Sequence, residues 1–421
     1  MSRWPQRIIR RPKPVRSHQT VVVVGGGATG AGIARDAALR GFQVIVVERS
    51  ELASGTTGHF HGILHSGARY AVLDPATAAE CYAENQILRQ IAPSAITDTG
   101  GLFLAMNAAE ATYADGLMAA CTAAGIPVAE ISVAAVLKQE PHIASTLKRA
   151  FTVPDAFVAG LSLVKLNQQS ALRAAIPATF LTRHSVISMQ RQGDAIRSVQ
   201  VRDEQNGTVT DIACDYVINA AGVWAGAVTD MAKVKLAMVY DKGTMMAYEG
   251  KYSSAVLNRC RAQDDGDLLV PTTPLNDGGE VYSVLGTTAR VIPSLDDCQP
   301  TQEEVDKLLR EGAEMVPSLR TAHVIQIYAG IRPLQNPQKS QNILSDRQAP
   351  SGLLVQNNTR GISRSFHVID HSSDGVSNFI SVVGGKVTIY RLMAEKTVDL
   401  LCQKSGRDVV CATAGSLMPA A

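Results

Sequence analysis

Two short apolar runs, 21–24 and 44–47, frame a helical pattern near the start of the chain. The glycine-rich segment 25–30 follows the first run at once, and the second run ends at Glu48. Unbroken apolar runs of this length are typical of strands buried on both faces of a parallel sheet. The order of strand, glycine-rich turn, helix, strand and acid therefore predicts a dinucleotide-binding βαβ unit.

Each conspicuous residue of this unit meets one physical demand of binding a dinucleotide. Gly25 permits the tight turn after the strand, Gly27 lets the backbone approach a pyrophosphate, and Gly30 lets the helix pack closely on the sheet. The phosphates then lie at a helix N-terminus, where free N–H groups attract anions. Glu48 is placed to accept hydrogen bonds from a ribose diol. The unit predicts these cofactor-binding residues: Gly25, Gly27, Ala28, Thr29, Gly30 and Glu48.

Further patterns extend the prediction along the chain. The run 215–220 is typical of another buried parallel strand, and short β patterns are frequent between 236 and 325. Thr301 followed by Glu304 forms a capping-box pattern and predicts a helix over 301–314. A second amphipathic pattern predicts a helix over 108–124 that ends at Gly125. The mixture indicates a parallel nucleotide-binding sheet together with a β-rich second domain.

Composition sets limits on these predictions. The 421 residues are 46% hydrophobic and 19% charged, which is enough apolar sequence for a large core and more than one domain. No apolar run approaches the roughly 18 residues that span a bilayer. The seven cysteines are scattered without a C-x-x-C pair, which indicates reduced thiols and no cysteine-ligated cluster, zinc site or other metal centre. We expect a cytoplasmic protein, peripheral to a membrane at most.

Charge is concentrated at the N-terminus. Residues 1–16 contain six basic residues and no acid, whereas the rest of the chain has 34 basic and 38 acidic residues. One interpretation is a solvated, flexible basic tail over 1–18. The other is attraction to the anionic inner face of the cell membrane. Nucleic-acid binding is not expected, because the body of the chain has no basic or aromatic pattern for it.

The loop after the second strand distinguishes between dinucleotides. It is rich in glycine and hydroxyl residues over 54–58 and leads to the polar cluster 59–70. NAD enzymes seldom follow the second strand with such a loop, whereas in many flavoproteins a segment of this kind crosses the face of the flavin. The loop therefore indicates FAD as the cofactor.

Residues 25–70 resemble the FAD-dependent glycerol-3-phosphate dehydrogenases, most closely the catalytic subunit of the anaerobic bacterial enzyme. The motifs that carry the resemblance occur in the same order as in that family and extend it over roughly residues 19–412. They are the segments 84–88, 219–224, 258–261, 269–271, 286–288, 328–334, 363–364 and 384–395.

The resemblance implies a fold and a domain organisation. The fold is a Rossmann-type α/β FAD-binding domain of the amino-acid-oxidase-like (glutathione-reductase-like) superfamily, with a β-rich substrate domain of α+β character. We expect a discontinuous FAD-binding domain over 19–105, 150–235 and 325–412. The substrate domain then occupies 106–149 and 236–324.

The resemblance also implies an activity, the oxidation of sn-glycerol 3-phosphate by hydride transfer to flavin N5. Arg332 and Arg364 match the family's phosphate-binding arginines, and a planar guanidinium suits that task because it can bind two phosphate oxygens. A structural salt bridge is the alternative for each arginine. The remaining cofactor-binding residues that the resemblance implies are Arg49, Thr56, Thr57, His65, Ser66, Gly67, Ala221, Gly222, Trp224, Gly384, Gly385, Lys386, Val387 and Thr388.

Four residues are the candidates for chemistry near the flavin. His65, Arg69 and Tyr70 come from the flavin loop, and Lys386 follows two glycines before a helix. His65 is either a base or flavin polariser, or a histidine that hydrogen-bonds FAD without touching substrate. Lys386 either covers the pyrimidine end of the flavin, contacts the substrate hydroxyl, or is a solvated lysine.

Several departures from the family pattern bear on the substrate. Residues 158–162 lack the family's aspartate and arginine, Ala289 stands where aerobic relatives have an acid, and Phe60 replaces a polar residue. His59 and His61 are expected to be loop residues rather than ligands. The alternatives are a flavoprotein that oxidises another polyol phosphate or a 2-hydroxy acid, or a flavin-binding subunit without catalysis.

The route by which electrons leave is a further expectation. The family's cysteine-rich C-terminal extension has no counterpart in this sequence. We therefore expect the acceptor to be a diffusible acceptor, an electron-transfer subunit or a membrane quinone, or the extension to be a separate or deleted piece.

Overall fold

The computed structural model describes residues 18–272, 281–335 and 365–419. Its helices are α1 Ala28–Leu39, α2 Pro75–Ile91, α3 Ala108–Ala123, α4 Val133–Gln139, α5 Gly160–Leu172, α6 Ala225–Met231, α7 Gln302–Met315 and α8 Tyr390–Ser405. The strands up to the middle of the chain are β1 Thr20–Val24, β2 Gln43–Glu48, β3 Ile63–Leu64, β4 Ile96–Thr97, β5 Gly101–Ala105, β6 Ala129–Ile131, β7 Arg149–Val153, β8 Ala156–Val158, β9 Thr179–Thr182, β10 His184–Gln192, β11 Ala195–Asp203, β12 Val209–Ala213 and β13 Tyr216–Asn219. The remaining strands are β14 Met238–Glu249, β15 Val256–Arg259, β16 Leu268–Pro271, β17 Tyr282–Gly286, β18 Arg290–Ile292, β19 Val324–Gln335, β20 Phe366–Asp370 and β21 Phe379–Gly384.

The predicted βαβ unit forms the centre of a six-stranded sheet with the order β20-β21-β13-β1-β2-β9. Strand β1 pairs in parallel with β2 and with β13, so the predicted strand at 215–220 is confirmed. Helices α5 and α8 lie against α1. Val21, Val23, Val44 and Val46 are fully buried, as their apolar runs predict. This packing fixes the carboxyl ends of the parallel strands, where ligands bind in open α/β sheets.

A second, nine-stranded sheet has the order β18-β14-β17-β16-β15-β5-β7-β6, with β19 paired to the other edge of β14. Helix α7 covers this sheet, and its Leu308 and Met315 enter an apolar core with Leu257 and Leu285. The capping box of α7 is present, with the Thr301 side chain and Glu304 as partners. Helix α3 also forms, and Gly125 beyond its end has a φ of +71°. Both helix predictions are confirmed.

The two sheets divide the chain differently from the predicted domain ranges at three strands. Strands β5, β7 and β19 lie in the nine-stranded sheet, although 101–105, 150–153 and 325–335 fall within the ranges expected for the FAD-binding domain. The reason is non-local pairing, since β5 runs parallel to β15 and β19 antiparallel to β14. The sequence of one strand does not specify such a partner. The domain boundaries themselves stay a prediction.

Two of the segments that carry the family resemblance, 84–88 and 384–395, support the flavin loop over 54–70. Arg391 of α8 donates from Nε to the Glu84 carboxylate of α2 at 2.8 Å, and both side chains are buried. The next residue, Asn85, donates to the main-chain oxygens of Leu64 and His65 at 3.3 and 3.1 Å. The motifs therefore join α2 to α8 and hold the loop in place.

Within the described ranges, no helix is both long enough and apolar enough to cross a bilayer.

Candidate active site

A cavity of about 430 Å³ opens at the carboxyl ends of β1, β2 and β13, in the size range of small-molecule sites. Residues of both sheets contribute to its walls, because Arg332 of β19 and Thr287, directly after β17, line it together with the glycine-rich turn. The predicted residues that line it are Gly25, Gly27, Ala28, Thr29, Glu48, Arg49, Thr56, Thr57, His65, Arg69, Tyr70, Ala221, Gly222, Trp224, Arg332, Gly384, Gly385, Lys386, Val387 and Thr388.

Three of the predicted site residues do not line the cavity, and a fourth lies outside the described residues. Gly30 packs beneath the turn, where a Cβ would overlap the main-chain oxygen of Gly25. Ser66 and Gly67 are buried in the flavin loop behind His65 rather than in the lining. Arg364 lies outside the described residues. Close packing thus explains why the first three residues shape the site without lining it.

The glycine-rich turn has the geometry that an anionic group needs. Gly25 has a φ of +112°, a conformation that other residues rarely adopt. The N–H of Ala28, at the start of α1, points to the Thr57 hydroxyl at 3.1 Å, and a Cβ on Gly27 would lie 3.1 Å from the same oxygen. This shallow cradle at a helix N-terminus fits a pyrophosphate.

Glu48 is held rigidly at the end of β2. One carboxylate oxygen accepts the N–H of Gly26 at 2.7 Å, and the other accepts that of Ser50 at 2.9 Å. Because a carboxylate oxygen has two lone pairs, each can also accept from a ribose hydroxyl. The fixed side chain therefore fits the predicted contact with a ribose diol.

The cavity continues beyond Glu48 into a region that the sequence does not predict. The Arg49 guanidinium lies over the Trp224 ring at 3.7 Å. His184, Ser185 and Val186 of β10 line the wall nearby, together with Val228 and Met231. These three consecutive residues of an antiparallel strand carry no sequence motif. Only the pairing of β2 with β9 and the position of β10 next to β2 bring them to the cavity wall.

The flavin loop is fixed by hydrogen bonds from three directions. Its short strand β3 pairs with β8, and the N–H of His65 donates to the Thr388 hydroxyl at 3.0 Å. The N–H of Ser66 donates to an oxygen of Asp155 at 2.7 Å. The loop therefore presents His65 and Arg69 to the cavity on a rigid support.

Arg332 forms the salt bridge that is one of its two predicted roles, and phosphate binding stays a prediction. It lines the cavity, yet its Nη1 donates to the fully buried Asp241 at 2.8 Å. Its Nη2 donates to the Thr287 hydroxyl at 2.9 Å and to the Thr288 main-chain oxygen at 3.1 Å. These three bonds use three of the five N–H groups of a guanidinium, which leaves donors for a ligand.

Arg69 and Lys386 bring two further cations to the same end. Arg69 donates from Nη1 to the side-chain oxygen of Asn258 at 3.3 Å and lies 3.9 Å from Asp267. The Lys386 ammonium lies 4.5 Å from the centre of the Tyr70 ring. Three cations from different chain segments thus line one end of the cavity.

Two histidines lie among these cations. The rings of His61 and His65 meet edge to face with centroids 5.8 Å apart, and His65 packs on Tyr70 at 5.4 Å. Burial and the nearby positive charges hold the pKa of His65 well below its usual value and lower the pKa of His61 to about 3. Both rings are therefore neutral at pH 7.

The Nδ1 atoms of the two rings differ in their hydrogen bonding. Nδ1 of His61 accepts the N–H of Ile63 at 3.3 Å, so its proton is on Nε2. Nδ1 of His65 is buried without a hydrogen-bond partner among the described residues.

His61 lies in the loop, as expected, and it is also part of the cavity wall, so whether it contacts a ligand stays a prediction. Strand β3 begins two residues after it, and Phe60 lines the cavity as well. His59 follows the expectation, since it is exposed and its Nδ1 lies 2.9 Å from the Gly55 main-chain oxygen.

Residues that depart from the family pattern lie mainly outside the cavity wall. Ala159 precedes α5, Leu161 is solvent-exposed, and the Ala289 N–H donates to Asp265 at 3.1 Å. Neither these residues nor Ser162 are among the lining residues.

Comparisons with known proteins agree with this geometry. The family described as FAD dependent oxidoreductase matches residues 20–391. The anaerobic glycerol-3-phosphate dehydrogenase subunit from Escherichia coli K12 is 39% identical over 402 residues, which cover 95% of this chain and 70% of that protein. The corresponding protein from Haemophilus influenzae, which has the same name, is 38% identical, with 95% and 67% covered.

Solved structures share the fold. The glycerol-3-phosphate dehydrogenase from Bacillus halodurans, complexed with FAD, superposes with a TM-score of 0.69 at 23% identity, covering 96% of this chain and 68% of that one. The L-alpha-glycerophosphate oxidase from Mycoplasma pneumoniae, with FAD bound, gives a TM-score of 0.66 at 18% identity, with coverage of 96% and 100%.

Proposed function

This chain belongs to the FAD dependent oxidoreductase family, and we propose that it oxidises sn-glycerol 3-phosphate to dihydroxyacetone phosphate with FAD as its cofactor. Family membership confirms the predicted amino-acid-oxidase-like fold class and the FAD cofactor. The cradle at Gly25–Thr29, the fixed Glu48 carboxylate and the glycines at 384–385 are the residues that would hold it.

The observation that carries the proposal is the grouping of Arg69, Arg332 and Lys386 with a neutral histidine at one end of the cavity. A phosphate monoester has a charge near −2 at pH 7, because its second pKa is about 6. Cations that converge from different segments suit such an anion, and arginine binds it through two N–H groups at once. The anion and the reacting alcohol can then be held together.

Oxidation of a secondary alcohol removes a proton from the hydroxyl and a hydride from the carbon, and a C=O bond forms. We assign the proton to His65, since this neutral ring lines the cavity beside Arg69 and Lys386. His61 presents an N–H instead and can donate to the substrate oxygen. When bound, FAD supplies the hydride acceptor at its N5.

The alternatives are a 2-hydroxy acid as substrate and a flavin-binding subunit without catalysis. The absent aspartate and arginine at 158–162 are the sequence feature in their favour. These positions do not line the cavity, whereas the three cations do. The phosphorylated polyol is therefore the better-supported substrate.

The first prediction is selective bleaching of the flavin. Under anaerobic conditions, glycerol 3-phosphate is expected to bleach the visible absorption of the bound flavin, because its phosphate holds the alcohol beside His65. Glycerol and lactate at equal concentration are the controls and should leave the spectrum unchanged. Bleaching by lactate would favour the 2-hydroxy acid, and bleaching by none of these would favour a subunit without catalysis.

We propose that the electrons leave to a partner subunit or to a membrane quinone, at the inner face of the membrane. The relatives are named as subunits of an enzyme, which supports a partner. The six basic residues in 1–16 support a position near anionic lipid, where each contributes about 1 kcal/mol.

The second prediction tests the tail. Deleting 1–16, or changing its six basic residues to glutamine, should weaken binding to vesicles that contain anionic lipid. The difference should shrink at high salt, because surface attraction is screened beyond about 10 Å at 0.1 M. Flavin reduction by glycerol 3-phosphate is the control and should not change, since the tail precedes β1. Equal vesicle binding by the full and the deleted chain would favour electron transfer to a partner subunit.

A further inference from the structure

Asp155 is a buried carboxylate that links two parts of the cavity wall. It lies between β7 and β8 with 1% of its surface exposed. One oxygen accepts the N–H of Ser66 at 2.7 Å, and the other accepts the amide NH₂ of Asn258 at 3.1 Å. Ser66 directly follows His65, so the first bond fixes the main chain beside the proposed base.

Asn258 connects the Asp155 carboxylate to the guanidinium of Arg69. It is fully buried in β15, and its side-chain oxygen accepts from Nη1 of Arg69 at 3.3 Å. Burial raises the pKa of Asp155, but the direction of these bonds is set by Arg69, because a guanidinium only donates and the Asn258 oxygen must therefore face it. Asn258 must therefore turn its NH₂ toward Asp155 and its oxygen toward Arg69.

Two other contacts of Arg69 differ in kind from this link. Asp267 lies 3.9 Å from its Nη2, beyond hydrogen-bond distance. Gln263 donates to the main-chain oxygen of Arg69 at 2.7 Å and so fixes the backbone rather than the guanidinium. Asn258 therefore adds a directed hydrogen bond to the guanidinium that neither of these two residues supplies.

We propose that Asp155 and Asn258 are positioning residues for the oxidation of the phosphorylated alcohol, because they fix the Arg69 guanidinium and the His65 main chain through one buried carboxylate. This inference rests on the proposed function. A shift of about 1 Å in a group that holds the substrate can cost about 100-fold in rate. Both residues therefore act on turnover without touching the substrate.

The test reverses the direction of the hydrogen bond between positions 155 and 258 and then restores it. In Asp155→Asn, the side chain can still accept from Ser66, but its NH₂ faces the NH₂ of Asn258. Asn258 must then turn, and Arg69 loses this acceptor. We expect the second-order rate of anaerobic flavin reduction by glycerol 3-phosphate to fall about 100-fold.

The single variant Asn258→Asp should be impaired as well, because it places two carboxylates side by side in a buried site. The double variant Asp155→Asn with Asn258→Asp restores a donor facing an acceptor at each step and should recover most of the rate. Recovery in the double variant is a result that a general loss of packing does not produce.

A control comes from Asp215, which also accepts a main-chain N–H, from Thr20 at 2.7 Å, but this bond fixes the start of β1 rather than a residue next to the cavity wall. Asp215→Asn should leave the rate unchanged. FAD content and the thermal midpoint are measured for every variant. If Asp155→Asn does not fold, Asn258→Leu tests the same inference. It removes the acceptor of Arg69 but leaves the bond between Asp155 and Ser66 in place.

A wild-type rate in Asp155→Asn, or a double variant that folds and binds FAD but stays as slow as the single variants, would overturn the inference. Failure of the proposed function would give a different experimental result. In that case glycerol 3-phosphate would not reduce the flavin of the unmodified chain.

Discussion

Replacing His65 with asparagine is expected to slow flavin reduction by glycerol 3-phosphate by about 10²- to 10⁴-fold, the usual contribution of a positioned base. The substitution removes the neutral imidazole that lines the cavity beside Arg69 and Lys386. FAD should remain bound, because the loop is held through main-chain groups of His65 and Ser66 rather than through the ring. Anaerobic stopped-flow measurement of the limiting rate checks the prediction.

The pH dependence of that rate follows from the same ring. Burial disfavours the imidazolium, so the pKa of His65 lies well below its usual value. The group is therefore already a free base at pH 8, at pH 7 and at pH 6. We expect no loss of rate from this residue as the pH falls through 6.5, and a loss only at lower pH, where the ring gains a proton.

The neighbouring histidines provide matched controls. His59→Asn changes an exposed ring of the same loop and should leave the rate unchanged. His61→Asn removes an N–H donor from the cavity and should have a smaller effect than His65→Asn. If His61→Asn were the slower variant and His65→Asn were close to wild type, the base would have to be reassigned to His61.

Much of the nucleotide-binding half could be predicted from sequence because its determinants are local. The strand, the turn at Gly25 and the helix occur within the consecutive residues 20–39, and the close approach at Gly30 is specified by the absence of a side chain. The capping box at Thr301 is equally local. Such features depend on residues that are neighbours in the chain, so they can be recognised in a single sequence.

The substrate half could be predicted only in part because its determinants are not local. Arg332 is found from a motif, but its partner Asp241 lies 91 residues away on a neighbouring strand. Asn258 lies 103 residues from Asp155, and nothing in either local sequence indicates the other. Strand β3, which follows His61 in the loop, pairs with β8, a partner that its own sequence does not specify. Long-range pairing therefore decides which polar residues reach the cavity.

Arg332 shows why a salt bridge and a binding role are compatible. Asp241 is fully buried and accepts from one nitrogen of the guanidinium, and Thr287 and Thr288 accept from the other. These bonds hold the planar group in one orientation before any ligand arrives. Ordering a flexible arginine on binding costs free energy, and this arrangement removes most of that cost.

We therefore expect Arg332→Ala to raise the KM for glycerol 3-phosphate by about 10- to 150-fold, since a hydrogen bond to a charged group contributes about 1.5–3 kcal/mol. The limiting rate should change less, because the phosphate is bound alike before and during the reaction. Removing the partner of buried Asp241 should also lower the thermal midpoint. Arg332→Ala combined with Asp241→Asn should recover stability but not KM.

Arg290→Ala is the matched control, since Arg290 pairs with Asp265 at 3.1 Å and does not line the cavity. An unchanged KM in Arg332→Ala, with FAD bound, would show that this arginine is purely structural and that another cation holds the phosphate.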